Sequence, residues 1–174
     1  MKNKRERRIA MLLAIMMLVM NLIVSPVWAE PGDVAIDEAN FPDVNFRKIV
    51  KTFDKDSNRI LSKSELDAVT SINARDKKIK NLKGIEYFTS LNWLDCSVNQ
   101  LKALDVSKNI NLKTLYCGQN QLTTLDVSKN KNLETLFCGL NQLTTLDLTN
   151  NTKLREFSCS ENQLTTLDVS KNKN

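Results

Sequence analysis

The 174-residue chain contains no histidine, only four glycines and only three prolines. Without histidine, no Ser–His or Cys–His nucleophilic arrangement can be assembled. The same absence, with no closely paired cysteines, argues against a zinc site. So few glycines leave no glycine-rich loop to cradle a phosphate. A basic excess is also missing where it would matter. Five of the 25 Lys and Arg and one of the 20 Asp and Glu fall within residues 1–29, leaving 20 against 19 in the remainder. The formal +5 therefore sits in the leading segment, and no basic stripe exists for nucleic acid. Carboxylates are plentiful, but nothing distinguishes an acid from a base among them. Enzyme chemistry is not expected.

What the chain does have is a repeat. Leu91, Leu112, Leu133 and Leu154 stand 21 residues apart, and so do Cys96, Cys117, Cys138 and Cys159. Asn99, Asn120, Asn141 and Asn162 form a third column; Leu101, Leu122, Leu143 and Leu164 a fourth; Leu104, Leu125, Leu146 and Leu167 a fifth. A fixed interval in five columns means one supersecondary unit stacked on copies of itself, a solenoid. In 112–132, Leu115, Tyr116 and Cys117 alternate in, out, in, as a short strand does. Asn120 is then placed to turn the chain and to bond the backbone of its own and the adjacent coil. Leu122, Leu125 and Val127 face inward, and 126–130 form the return corner. Each coil advances in the same direction, so the strands pair in parallel. The competing architecture is a flattened parallel β-helix, with a second strand in the Asp-Val-Ser half. Asp, Ser and Asn favour corners over ladders, so at most a short bridge is expected there.

The pattern of leucine, two variable, leucine, variable, apolar, two variable, asparagine, variable, leucine resembles the leucine-rich repeat family. It is most similar to the short-repeat, internalin-like surface proteins of bacteria. The match is full at 91–101, 112–122 and 133–143, and holds at 154–164 with Phe157 replacing a leucine. A diverged first copy is readable in Val69, Ile72, Ala74, Ile79 and Leu82, with Lys77 where asparagine is expected. The resemblance implies an α/β solenoid with a parallel β-sheet on its concave face and a small helical N-terminal cap. It also implies an exported or cell-surface binding module, of Gram-positive origin, that recognises a protein or other surface ligand. The alternative is a structural spacer, or the adhesive repeats of a larger surface protein or enzyme.

Three segments follow. Lys2, Lys4, Arg5, Arg7 and Arg8 precede an apolar run over 9–24 broken only by Asn21, with Val27 and Ala29 in signal-peptidase positions. Residues 1–29 thus read as a signal peptide rather than a retained anchor, because the run is short for a span. Residues 30–68 read as the cap, and 69–174 as five coils (69–90, 91–111, 112–132, 133–153, 154–174). By the same count a further coil is due after Asn174, so the expectation is a truncated chain, or self-association through an uncovered apolar end.

Inside the cap, Phe46, Ile49, Val50 and Phe53 make a helical stripe. Ser62 and Glu65 form a capping box that opens a second helix with Leu66 and Val69 inward. Between them, 54–65 resembles an EF-hand calcium loop, with Asp54, Asp56, Asn58, Ser62 and Glu65 at ligand positions and Ile60 offering its carbonyl. Arg59 departs from the glycine that this loop requires. Two readings stay open: a weak calcium site, or a helix–loop–helix cap with no cofactor.

The candidate binding residues lie on the outward strand face: Trp93, Asp95, Tyr116, Phe137 and Glu156, with Lys113, Glu134 and Arg155 at the edge. Large aromatic groups there are typical anchors of protein contacts. The Asp105, Asp126, Asp147 and Asp168 column repeats too regularly to encode one partner and reads as corner structure. The four cysteines occupy inward apolar positions and are expected as buried thiols, not disulfides.

Overall fold

In a computed structural model, residues 30–172 are described; the expected signal peptide, 1–29, lies outside them. Residues from Pro31 onward form one unit. It opens with β1 (Val34–Ala35), antiparallel to β2 (Ile60–Leu61). Between them runs α1 (Val44–Val50), whose first turn is fixed by Asp43, the Oδ1 of which accepts from the N–H groups of Asn45 and Phe46 at 2.9 and 3.0 Å. The second helix, α2 (Lys63–Ala68), begins with the capping box of Ser62 and Glu65. These caps occupy N–H groups that no helical carbonyl can reach. The β1–β2 pair was not foreseen, since two-residue strands are too short to show a period.

Five parallel strands follow: β3 (Ser71–Asn73), β4 (Trp93–Asp95), β5 (Thr114–Tyr116), β6 (Thr135–Phe137) and β7 (Glu156–Ser158). Ile72, Leu94, Leu115, Leu136 and Phe157 lie side by side, so the diverged first copy pairs at the 22-residue offset read from sequence. Each strand starts one residue earlier than expected and stops before the cysteine, although Cys117 N–H still donates to Phe137 O at 2.9 Å. Among the described residues the Asp-Val-Ser half holds one isolated bridge, Asp105 to Asp126. The object is a leucine-rich-repeat solenoid, not a β-helix.

The core is continuous from cap to repeats. Phe41 is fully buried and meets Phe46, Tyr87 and Phe88 at ring-centroid distances of 6.1, 5.7 and 6.4 Å. Its ring occupies the space that a side chain at Gly84 would fill; a Cβ there would lie 2.2 Å from Phe41, and Gly84 has φ +101. Asp43 ties the cap to the first coil by accepting from Lys80 N–H at 2.8 Å. Leu101, Leu112, Leu122, Leu133 and Leu143 are fully buried in the interior coils. In the fifth coil Phe157 is 37% exposed and Val169 41%.

The asparagines at 99, 120, 141 and 162 bond as expected but do not themselves make the turn. That falls to the preceding residues, Val98, Gln119, Leu140 and Glu161, with φ of 53 to 57°. Such a conformation is uncommon for any residue but glycine, and most of all for β-branched valine. The asparagine holds it by bridging. Asn120 Nδ2 donates to Cys96, Cys117 and Gly118 carbonyls at 3.0, 3.1 and 3.2 Å, while its Oδ1 accepts from Leu101 N–H at 3.0 Å.

Candidate functional site

Alternation along β4–β7 sends one side chain inward and the next out. The outward columns run Trp93, Thr114, Thr135, Glu156 and Asp95, Tyr116, Phe137, Ser158. Parallel strands lie about 4.8 Å apart, which lets Tyr116 and Phe137 stack with centroids 5.2 Å apart and planes 7° from parallel. Trp93 meets Tyr116 edge-on at 6.0 Å. The three rings, all half-buried, form one ladder across the centre of the sheet.

Beside the ladder lies a trough of about 470 Å³. Its floor is Gly118 and Gly139, where a Cβ would come within 3.0 Å of the next coil's carbonyl oxygen. Gln119 and Leu140 form the wall opposite the rings. At one end, Arg75 Nη1 donates to Ser97 Oγ at 2.6 Å, and Ser97 in turn donates through its hydroxyl and its N–H to Asp95 Oδ1. At the other end stand Ser158 and Ser160, hydroxyls 3.4 Å apart. Sequence reading missed Arg75 and the trough that the glycines of this outward column open. Their signal was present: glycine replaces serine at 118 and 139 in the column that begins with Arg75.

Of the candidate binding residues, Trp93, Tyr116 and Phe137 are brought together, whereas Lys113, Glu134 and Arg155 form a separate row at the strand entrances. Their backbones pair there, with Glu134 N–H on Lys113 O and Arg155 N–H on Glu134 O, each 2.8 Å. Asp95 lies in the outward column with Tyr116 and lines the trough. It is only 9% exposed, drawn down by Ser97.

The EF-hand-like loop places oxygens of Asp54, Asp56 and Glu65 within 4.8 Å of one another, a set able to face a cation. Arg59 takes φ +67, the turn for which such a loop uses glycine, and Ser57 takes +61. Asp54 accepts from the N–H groups of Asn58 and Arg59, and Glu65 from those of Lys55 and Ser62. Asn58 Oδ1 takes the Ile60 N–H, and the Ser62 hydroxyl donates to Glu65. Burial alone would raise the Glu65 carboxyl, but the Lys55 and Ser62 hydrogen bonds outweigh it and hold it below its ordinary range.

The cysteines are free thiols, with Cys96, Cys117 and Cys138 buried and Cys159 half-buried. Burial, then the neighbouring Cys159, pushes the Cys138 thiol up to about 12. Cys117 is raised well above its usual value, by burial first and then by adjacent thiols. Burial thus favours the protonated thiol over the thiolate at these positions.

No family model matches the chain. Over 70 residues it is 38% identical to Internalin J of Listeria monocytogenes, a stretch covering 40% of this chain and 8% of that protein. The solved functional domain of that internalin, described as including a cysteine ladder, superposes with TM-score 0.75 at 36% identity. The match covers 80% of this chain and 31% of that one. The chain is homologous to internalin-type leucine-rich-repeat proteins. A Leptospira interrogans leucine-rich-repeat protein gives TM-score 0.60 at 28% identity, over 63% of this chain and 30% of its own. The internalin inlF of Listeria monocytogenes shares the fold, with TM-score 0.64 at 23% identity over 79% of this chain and 48% of that one. The chain thus spans from 8% to 48% of the length of these relatives. Such folds are repeat scaffolds with a broad binding face. Among the described residues, no helix is long and apolar enough to cross a membrane.

Proposed function

We propose that this chain is the recognition module of an exported, surface-acting leucine-rich-repeat protein, and that its ligand seats on the outward strand face. The observation carrying this reading is the Trp93–Tyr116–Phe137 ladder standing beside the trough. Three large rings held at the surface by sheet register offer area at small entropic cost, the property of a binding anchor. A spacer needs no such ladder. Likeness to Internalin J supports action outside the cell, as does the basic-then-apolar leader ending at Ala29. Fluorescently labelled chain applied to intact bacterial and epithelial cells should bind one of them saturably. A Tyr116→Ala and Phe137→Ala double variant should lose that binding. Equal binding by the variant would favour the spacer reading.

A second reading concerns the cap. We infer that Asp54, Asp56, Asn58, Glu65 and the Ile60 carbonyl hold calcium weakly, in the millimolar range typical of extracellular modules. It is favoured by the converging carboxylates and by the left-handed turn that Arg59 adopts despite its side chain. Calorimetric titration of the purified chain with calcium should release heat that is lost in Asp54→Asn. Absence of heat at millimolar calcium would leave a plain cap. Light scattering at rising concentration tests self-association through the fifth coil, where Phe157 and Val169 are exposed.

A further inference from the structure

The aromatic ladder stops abruptly. Tyr116 covers one face of Phe137, and the in-register neighbour on the other side is Ser158, whose side chain has two heavy atoms. Strand spacing of about 4.8 Å puts that serine at the stacking distance of a next ring and supplies none. Ser158, Ser160 and Leu140 border the same trough as Phe137, so the uncovered ring face opens into the space beside it. We propose that this space is a subsite for a pyranose ring of a neutral carbohydrate chain, stacked on Phe137 and continuing along the trough toward Arg75. The proposal rests on the recognition-face reading and deepens it.

Three observations favour a sugar over a polypeptide side chain. A pyranose presents an apolar C–H face and a rim of hydroxyls, and the subsite presents a ring face flanked by the Ser158 and Ser160 hydroxyls. A protein hot spot would instead need a desolvated apolar pocket, and here apolar lining is confined to the two rings and Leu140. The far end is hydrogen-bonding too. Ser97 occupies one oxygen of Asp95 and one nitrogen of Arg75. The remaining carboxylate oxygen and guanidinium N–H groups are an acceptor and donors suited to adjacent hydroxyls. One Arg against one Asp leaves the trough near neutrality, which favours a neutral chain over a charged one. From Arg75 in the first coil to Ser160 in the fifth spans four coil steps, about 19 Å. The floor of Gly118 and Gly139 keeps that length open, because any side chain there would crowd the next coil's carbonyl. The volume, about 470 Å³, is of the size of small-ligand clefts.

The test uses the purified chain with neutral oligosaccharides of several linkages, from disaccharide to hexasaccharide, followed by intrinsic fluorescence and calorimetry. At least one series should bind, with affinity rising with length and a change in Trp93 or Tyr116 emission. Phe137→Ala should weaken it by about tenfold or more, the loss expected for one stacked ring. Ser158→Tyr is the sharper variant, since it completes the ladder from within. It should keep the fold by circular dichroism and abolish sugar binding. Failure of every series at millimolar concentration would overturn the carbohydrate assignment. So would sugar binding that Ser158→Tyr leaves unchanged. If the folded chain binds cells through Tyr116 and Phe137 while ignoring all sugars, the recognition face stands and the carbohydrate subsite falls.

Discussion

Each coil has two sides, and they treat sequence differently. On the return corner, Asp126-Val127-Ser128-Lys129-Asn130 recurs unchanged at 105–109 and 168–172, and as Asp147-Leu148-Thr149-Asn150-Asn151 in the coil between. On the strand side the outward residues vary, as Trp93, Thr114, Thr135 and Glu156 in one column and Asp95, Tyr116, Phe137 and Ser158 in another. The structure accounts for the contrast. Corner side chains are consumed in making the turn: Asp105, Asp126, Asp147 and Asp168 each accept from the N–H two residues on, at 2.8 to 2.9 Å. Outward strand side chains are not needed to close the backbone and are free to carry specificity.

Both sides also carry an asparagine ladder, and the two are unequal. In the strand-side ladder Asn120 uses both ends of its carboxamide. In the corner ladder Asn109, Asn130 and Asn151 are fully buried yet only donate. Asn130 Nδ2 reaches Val106 O and Asn109 O at 3.0 and 2.9 Å, and its Oδ1 has no partner. The carbonyls it serves also receive backbone donors, Asn109 N–H and Leu112 N–H, each at 3.0 Å. By contrast, Leu101 N–H, which donates to Asn120 Oδ1, has no backbone acceptor among those described. A buried group left unpaired costs far more than a shared bond lost.

That inequality can be broken by substitution. Leu125→Ala, between the two ladders and 7% exposed, sets the apolar yardstick at about 2–5 kcal/mol in denaturant unfolding. Asn120→Ala should follow at about 2–3 kcal/mol, because it strands Leu101 N–H and releases a left-handed turn at Gln119. Asn130→Ala should cost less, about 1 kcal/mol, since it also removes an unpartnered acceptor. Equal losses for the two asparagines would remove the distinction. The smallest effect lies in the corner aspartates. Backbone and hydroxyl hydrogen bonds from Ser128 hold Asp126 below its ordinary range, and Ser107 does the same for Asp105. Their contribution is present above the unfolded carboxylate range near about pH 4 and fades as pH falls through the lower folded value. Asp126→Asn should therefore lower stability at neutral pH by a small amount, because solvent screens this exposed site, and the difference from wild type should vanish as pH falls through the acid limb.

Much of this was legible in the sequence, and for a physical reason. The leucine, cysteine and asparagine columns are read directly because one interval fixes the register of all five coils. The corner ladder was equally readable at 109, 130, 151 and 172, but asparagine in a corner looks like turn chemistry until its burial is seen. The trough was harder. It joins Arg75 to the outward column of Ser97, Gly118, Gly139 and Ser160; the interval aligns that column but does not show the depth that its glycines open. Alternation likewise sends Asp95 outward without showing how far Ser97 draws it down. The turn was assigned to the asparagine, since nothing in valine or glutamine announces a positive φ.

The central claim is that corner and core make the scaffold while the outward ladder makes the contact. It is tested most directly on the Tyr116→Ala and Phe137→Ala double variant, by measuring its urea unfolding midpoint and its cell-surface binding in one preparation. The account predicts a loss of stability smaller than that of Leu125→Ala, about 1 kcal/mol for the lost ring pair, together with loss of binding. Wild-type binding by a variant that has folded normally would contradict it.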